Sequence, residues 1–359
     1  MKLFIDSNHL SPYAMSAFVA LREKAIPFDL ALVDLQRGEH LAAGYAGVSS
    51  TLRVPTLSHD GFNLSESSAI CEYLEEAFPA TPIYPANVQE YLDYGLHGWA
   101  MSRYTGLWVA MKCVTDLVES GMSVMIDPER VKIQLPEFEL PPDGLNIRVP
   151  DTVLGQEARM INYKWYAALA YARANKLNRI IWDSPRARIG IITAGKSYLD
   201  TRQALEDLGI DEQVAADIGI RLYKVGMTWP LEAEGVREFA QGLDEILVVE
   251  EKRQILEYQL KEELYNWRDD VRPRVVGKFD DTGEWSGSQR EGHGNWLLPA
   301  TYELNPAQIA RAIATRISRY FAGHPVEQRV RTRVAYLEAK EAAKIRTMPG
   351  SLDEALNHL

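Results

Sequence analysis

The sequence has 359 residues, a formal net charge of -11, 46 % apolar residues and 25 % charged residues. That length accommodates about two or three domains of roughly 100–200 residues each, with the composition of a globular protein. The negative balance argues against a general nucleic-acid or anionic-membrane binder. Two cysteines, Cys71 and Cys113, are too few for a disulfide framework or for the four thiolates of an iron–sulfur cluster, and a cytoplasmic location fits them. Met1 to Ile5, followed by Asp6, lacks the apolar run of a signal peptide. The most apolar stretch, Leu107 to Ile126, is interrupted by Lys112, Asp116 and Glu119 and does not read as a membrane span.

Lys2 to Ile5 reads as a short buried strand. Pro12 to Glu23 carries helical spacing, with Met15, Phe18, Val19 and the Ala20-Leu21 pair on one face. Phe28 to Val33, Val54 to Leu57 and Phe62 to Leu64 read as strands, the last two joined by a hairpin at His59-Asp60-Gly61. Ser65 reads as the N-cap of a helix running to about Ala77 and stopped by Pro79. The order is β-α-β, then β-β-α.

The motifs Ser11-Pro12-Tyr13, Arg53-Val54-Pro55 and Ser65-Glu66-Ser67-Ser68-Ala69-Ile70 stand in this order over residues 1–84, which resemble the N-terminal domain of glutathione transferases, in particular bacterial forms with a serine near the N-terminus. The resemblance implies a thioredoxin-like fold with a cis bond before Pro55. It further implies glutathione as ligand, held by Ser11, Val54, Glu66 and Ser67, with Ser11 the catalytic group. A hydroxyl at a helix start can donate to a thiolate and lower the thiol pKa. Val54 would pair with the peptide backbone of the ligand, Ser67 with its γ-glutamyl carboxylate and Glu66 with its ammonium group. On their own, Ser11 and the Ser65-Glu66-Ser67 run read equally as helix caps. A glutathione transferase continues into an all-helical domain, and beyond about Tyr84-Pro85-Ala86 this sequence departs from that pattern.

Tyr91 to Tyr104 contains a Gly-flanked turn around His97, and an apolar helical stretch follows through Lys112. Glu129 to Pro150, with Pro136, Pro141, Pro142 and Gly144, reads as an irregular connector, and Gln156 to Asn175 as a helix with a Tyr/Trp stripe directed to the core. From Arg188 strands and helices alternate: strands at Ile189–Thr193, Ile220–Val225, Glu245–Val249 and Arg274–Val276, helices at Tyr198–Leu208, Glu234–Gly242 and Gln254–Leu264. Such alternation predicts a mostly parallel sheet covered by helices, with ligands gathering beyond the strand C-terminal ends, here Gly195-Lys196-Ser197, Thr228-Trp229-Pro230 and Glu250-Glu251-Lys252-Arg253. Two amphipathic helices close the pattern, Pro306–Phe321 and Val326–Arg346, the second with Val330, Val334 and Leu337 in one stripe, before a tail of about a dozen residues.

The stretches Tyr94 to Arg103, Gly190 to Asp200, Tyr223 to Leu231 and Val248 to Lys252 resemble the middle of indolepyruvate ferredoxin oxidoreductase, a thiamine-diphosphate 2-oxoacid oxidoreductase, over about residues 85–346. The expected fold class is therefore α/β: a thioredoxin-like N-terminal domain (1–84), a partial pyrimidine-domain remnant with its Pro-rich connector (85–180), a mostly parallel α/β domain resembling the transketolase C-terminal domain (181–300), and C-terminal helices with a tail (301–359). The resemblance implies 2-oxoacid chemistry, yet no Gly-Asp-Gly motif with an Asn-bearing metal loop and no cysteine cluster appears. Thiamine diphosphate is thus expected only with a complementing oxidoreductase chain, and no iron–sulfur cluster in this chain. A homodimer is the other partner expected, with no nucleic acid and no membrane. A glutathione-binding protein and a recombined or truncated chain without conserved activity remain alternatives.

Other features read mainly as structural. Gly190 to Ser197 matches the expression of a phosphate-binding loop, but Ile191-Ile192-Thr193 reads as the strand itself, whereas that loop requires a strand before its first glycine. His97 reads as a structural histidine and His293, in a Gly-rich loop from Asp280 to Asn295, as lacking a second metal ligand. Glu250 and Glu251, as strand neighbours, point to opposite faces. Ser102-Arg103 reads equally as an anion contact, a helix start or an ion-pair site.

Overall fold

The computed structural model describes residues 1–8, 28–59, 61–67, 81–83, 85–146, 151–280, 296–301 and 303–347, together with residues 11, 13, 14, 17, 18, 21 and 70. Expectations that fall on Pro12, Met15, Val19, Ala20, Asp60, Ser68, Ala69, Cys71, the Ala77–Pro79 helix stop, Pro150, the 281–295 loop with His293, and the last dozen residues lie outside the described residues. The chain divides into two compact units, Met1–Thr81 and Pro82–Leu359.

The first unit is built on a four-stranded sheet of β1 (Lys2–Asp6), β2 (Asp29–Val33), β3 (Thr56–His59) and β4 (Phe62–Ser65), in the order β2-β1-β3-β4. β1 runs parallel to β2 and antiparallel to β3, and β3 and β4 form a hairpin whose last pair is His59 with Phe62. Residues 13, 14, 17, 18 and 21 are helical, so β1 and β2 are joined by the helical crossover that a parallel pair requires. Leu3 and Ile5 alternate into the core with Ala14, Ala17, Leu21, Val33, Leu57 and Ile70, all buried. The third strand begins two residues later than its apolar run, because Val54 and Pro55 are joined by a cis peptide bond and proline donates nothing to a ladder. Ser65 is not a helix cap. It is the last residue of β4, and the corner falls on Glu66, at φ 79°, whose carbonyl accepts from the Ile70 amide.

From the boundary between the units, β5 (Thr81–Ile83) and β6 (Val109–Met111) form a two-stranded sheet of their own, flanking a helix over Val88–Thr105. Two expectations are corrected here. His97 lies inside this helix and not in a turn, and Ser102-Arg103 lie in its last turn and not at a helix start. Gly95 and Gly98 weaken a helix by about 1 kcal/mol each, but the buried face of Tyr94, Met101 and Thr105 and an Asn87 side chain capping the Glu90 amide outweigh them. Gly106, at φ 67°, ends the helix, so the apolar stretch predicted to stay helical through Lys112 becomes a strand at Val109. The helix predicted over Gln156 to Asn175 forms as Val153–Arg159 and Trp165–Ala174 joined by a π-helical turn at Met160–Lys164. Of its aromatic stripe Tyr171 is buried, whereas Tyr163 and Tyr166 are exposed.

The main sheet consists of β7 (Arg179–Trp182), β8 (Ile189–Ala194), β9 (Ile220–Val225), β10 (Glu245–Val249) and β11 (Arg274–Val276), in the order β11-β10-β8-β9-β7. All neighbours are parallel except β7, an antiparallel edge strand beside β9. Between Arg179 and Val276, β7 and a helix at Glu212–Ile218 are the two elements that the sequence pattern did not single out. Ile189 and Ile191 of β8 face one core with the helices Lys196–Asp207, Pro306–Tyr320 and Pro325–Thr347, and Ile192 faces another with the helices Ala233–Ala240 and Leu256–Leu264. A sheet covered on both faces favours apolar central strands, and β8 reads that way throughout, whereas β9 carries Arg221 and Lys224 and β10 opens on Glu245.

Candidate functional site

In the first unit, the cis Val54-Pro55 corner and the Glu66 corner border one cavity of about 300 Å³, lined by Tyr13, Arg53, Val54, Pro55, Glu66 and Ser67. The fold places Val54 just before β3 and Glu66 just after β4, and the β3–β4 hairpin pairs Thr56 with Ser65 across the ladder. Two corners adjacent in space but well separated in sequence thus present backbone groups and a carboxylate to the same space. Three of the four residues expected to bind glutathione, Val54, Glu66 and Ser67, line it.

Ser11 is the fourth, and it is not among the lining residues. Its Oγ accepts a hydrogen bond from the Ala14 amide at 3.2 Å, and its own amide donates to the Asp6 carboxylate at 3.1 Å. This is helix-capping geometry. The hydroxyl proton is not consumed by that bond, because a serine oxygen accepts while its O–H donates. Tyr13, exposed at 67 %, and Arg53 are lining residues that sequence reasoning passed over, although both belong to the motifs singled out.

Beneath the corner lies a set of hydroxyl groups. The Arg53 carbonyl accepts from Tyr45 Oη at 2.7 Å, Thr56 Oγ1 at 3.0 Å and Ser49 Oγ at 3.3 Å. Thr56 Oγ1 and Ser49 Oγ each lie 3.1 Å from Ser65 Oγ.

In the second unit the C-terminal ends of β8, β9 and β10 are occupied by structural pairs. Glu250 and Glu251 follow β10 and diverge. Glu250 accepts from the amides of Ile255, Leu256 and Glu257, capping the next helix, while Glu251 accepts from the Leu304 amide. Burial raises both carboxyl pKa values. Lys278 is buried with its Nζ donating to the Glu250 and Pro299 carbonyls, and burial lowers its pKa. Lys196 pairs with Asp200 at 2.7 Å. Gly190 lies within β8, where a Cβ would collide with Leu243 and Phe239, so it is a packing glycine and not the first glycine of a phosphate loop. The loop after β9 contains a second cis bond, Trp229-Pro230, and Asn178 Oδ1 accepts from the Gly226 and Met227 amides there.

His97 contacts Tyr171 Oη at 3.2 Å through Nδ1 and is half-buried. Burial lowers its pKa, partly offset by the nearby Asp93 carboxylate. Cys113 is a free thiol whose pKa burial pushes up to about 11, so it is protonated at neutral pH. The described residues hold no group of three or more His, Cys, Asp or Glu placed to bind a metal ion.

The four-stranded sheet, its helical crossover and the cis-proline cavity define the first unit as a thioredoxin-like module, and the two-sided, largely parallel sheet defines the second as an α/β domain. Residues 10–77 match the glutathione S-transferase N-terminal domain, and residues 178–347 match the indolepyruvate ferredoxin oxidoreductase middle domain. The chain thus carries a glutathione-transferase-like N-terminal module ahead of an indolepyruvate-oxidoreductase-related middle domain. The indolepyruvate oxidoreductase subunit IorA of Methanothermobacter marburgensis is 26 % identical over 230 residues, covering 64 % of this chain and 33 % of that protein. Glutathione S-transferase theta-1 of Mus musculus is 31 % identical over 147 residues, covering 39 % of this chain and 58 % of that protein. A Burkholderia glutathione transferase homologue solved with bound glutathione is 41 % identical, covering 29 % of this chain and 56 % of that one, with a TM-score of 0.21. The chain therefore spans about a third of the IorA relative and little more than half of these two transferase relatives. No helix among the described residues is long and apolar enough to cross a membrane.

Proposed function

We propose that the chain is a component of a 2-oxoacid, indolepyruvate-type oxidoreductase that works only with a complementing chain, and that its front module binds glutathione or a related γ-glutamyl thiol. The observation that carries the binding reading is the cavity shared by the cis-proline corner and the Glu66–Ser67 corner. The Val54 backbone borders that cavity ahead of β3, where an extended peptide can pair with it. Glu66 supplies a carboxylate for an ammonium group, and the Ser67 amide and hydroxyl suit a carboxylate. Ser11 both caps the first helix and keeps a proton to donate to the ligand's thiolate, which lowers the thiol pKa.

Isothermal titration with glutathione tests this part. The wild type binds, Ser67→Ala weakens binding by about tenfold, the loss of one charge-assisted hydrogen bond, and Ser11→Ala raises the pKa of the bound thiol with little change in affinity. Absence of heat at millimolar glutathione overturns it. The oxidoreductase part rests on the match of residues 178–347. It predicts co-purification with a chain bearing thiamine-diphosphate and cysteine-cluster motifs, and 2-oxoacid-dependent dye reduction by that assembly. An assembly that reduces no dye with any aryl or alkyl 2-oxoacid counts against it.

A further inference from the structure

The hydroxyl cluster beneath the cavity has no part in the binding roles given so far. Tyr45, Ser49 and Thr56 are buried, at 7 %, 1 % and 0 % exposure. Hydroxyls removed from water need partners, and these find one another and a single carbonyl, that of Arg53. A carbonyl oxygen has two lone pairs, and the two shortest contacts, from Tyr45 at 2.7 Å and Thr56 at 3.0 Å, fill both. Ser49 and Ser65 then complete the lattice around Thr56.

The consequence lies one bond away. The Arg53 carbonyl and the Val54 N–H belong to one peptide plane, and that bond is trans, since the cis bonds among the described residues are Val54-Pro55 and Trp229-Pro230. In a trans peptide the C=O and N–H vectors point in opposite directions. Holding the oxygen inward on buried hydroxyls therefore turns the Val54 N–H outward, and Val54 lines the cavity. The restraint comes from three different places in the chain, Tyr45 and Ser49 before the corner, Thr56 in β3 and Ser65 in β4, so it fixes the plane against rotation as well as translation.

We propose that the Tyr45, Ser49, Thr56 and Ser65 hydroxyls are positioning groups for ligand binding: they hold the Arg53 carbonyl and so preset the Val54 amide toward a peptide ligand. The proposal rests on the γ-glutamyl-thiol reading above. Thr56→Val keeps the side-chain shape and removes one of the two donors to the carbonyl, whereas Thr56→Ser keeps the donor. The loss of one neutral hydrogen bond's worth of preorganisation corresponds to about a five- to tenfold rise in the glutathione Kd.

The test is titration of glutathione into the full chain and its Thr56→Val, Thr56→Ser and Tyr45→Phe variants, at a temperature where circular dichroism shows each fully folded. The 15N–1H resonance of Val54 is followed alongside. Thr56→Val and Tyr45→Phe are expected to weaken binding about five- to tenfold and to shift the Val54 resonance in the ligand-free protein, and Thr56→Ser to stay within about twofold of wild type in affinity with its resonance near the wild-type position. Wild-type binding with unchanged affinity in Thr56→Val and Tyr45→Phe overturns the positioning role and leaves the binding site standing. Wild-type protein that binds no glutathione removes the site itself. If Thr56→Val does not fold, Tyr45→Phe decides the matter.

Discussion

At the scale of single residues, environment assigns roles that residue type leaves open. His97 shows this most directly. It stands in the middle of a helix, half-buried, with Nδ1 against the Tyr171 hydroxyl, and burial holds its pKa below the ordinary 6.5 while the Asp93 carboxylate opposes the shift. Its neutral form is thus the folded form. Because the unfolded chain takes up the proton at higher pH than the folded one, stability contributed here is complete above about pH 6.5 and is lost as pH falls through the lower folded value. Denaturant unfolding between about pH 5 and 7.5 is expected to show wild-type stability falling more steeply toward acid than that of His97→Gln. Parallel pH profiles for the two proteins would show that His97 is not a buried neutral group. Ser11 carries the same lesson at the candidate site, since the structure shows it as a cap and leaves its thiol chemistry to be measured.

At the scale of elements, the joints of the second unit are made by buried charge. Lys224 of β9 is 2 % exposed, forms a close ion pair with Glu90 of the Val88–Thr105 helix, and sits 4.4 Å from the Tyr198 ring. Burial lowers the lysine pKa and Glu90 counteracts it. Glu90 also accepts from the Ala86 amide at 3.0 Å, so one carboxylate ties the chain entry, the helix and the sheet together. Removing one member of such a pair strands the other charge in a low-dielectric site, at a cost of about 3–5 kcal/mol. Glu90→Ala is expected to lower unfolding free energy by about that amount, and the double replacement Glu90→Gln with Lys224→Met to recover most of it. A loss under about 1 kcal/mol in Glu90→Ala, the range of a solvated pair, would mean that water reaches Lys224.

At the scale of the whole molecule there are two units with separate cores, Met1–Thr81 around Leu3, Ile5, Leu21 and Leu57, and Pro82–Leu359 around both faces of the five-stranded sheet. Separate cores imply separate cooperative transitions. Calorimetry of the full chain is expected to resolve two of them. Glutathione at about a hundred times its Kd stabilises whatever unit binds it by about 2.7 kcal/mol, so only the transition of the first unit should move. A shift in the larger transition, or in both equally, contradicts a site confined to the first unit.

Much of this organisation is legible in residue order. The βαβ–ββα pattern of the first unit, the alternation from Ile189 onward and the change of character near residue 84 follow from periodicity and from the placement of glycine and proline, which act over a few residues. The cis bond before Pro55, which the resemblance of Arg53-Val54-Pro55 to glutathione transferases implies, is present. The elements that escaped are those whose stability comes from distant partners. β7 is short and half-buried and exists because β9 offers it an edge, while the helix around His97 survives two glycines because Tyr94 and Met101 are buried against Tyr171. Ser65 reads as a cap in the sequence and becomes a strand end because the β3–β4 ladder continues through it. The joining of Val54 to Glu66 and Ser67 around one cavity, and of Tyr45, Ser49, Thr56 and Ser65 beneath it, was decided by the tertiary structure, since hydrogen-bond and cavity geometry depend on distances in space that no local pattern encodes.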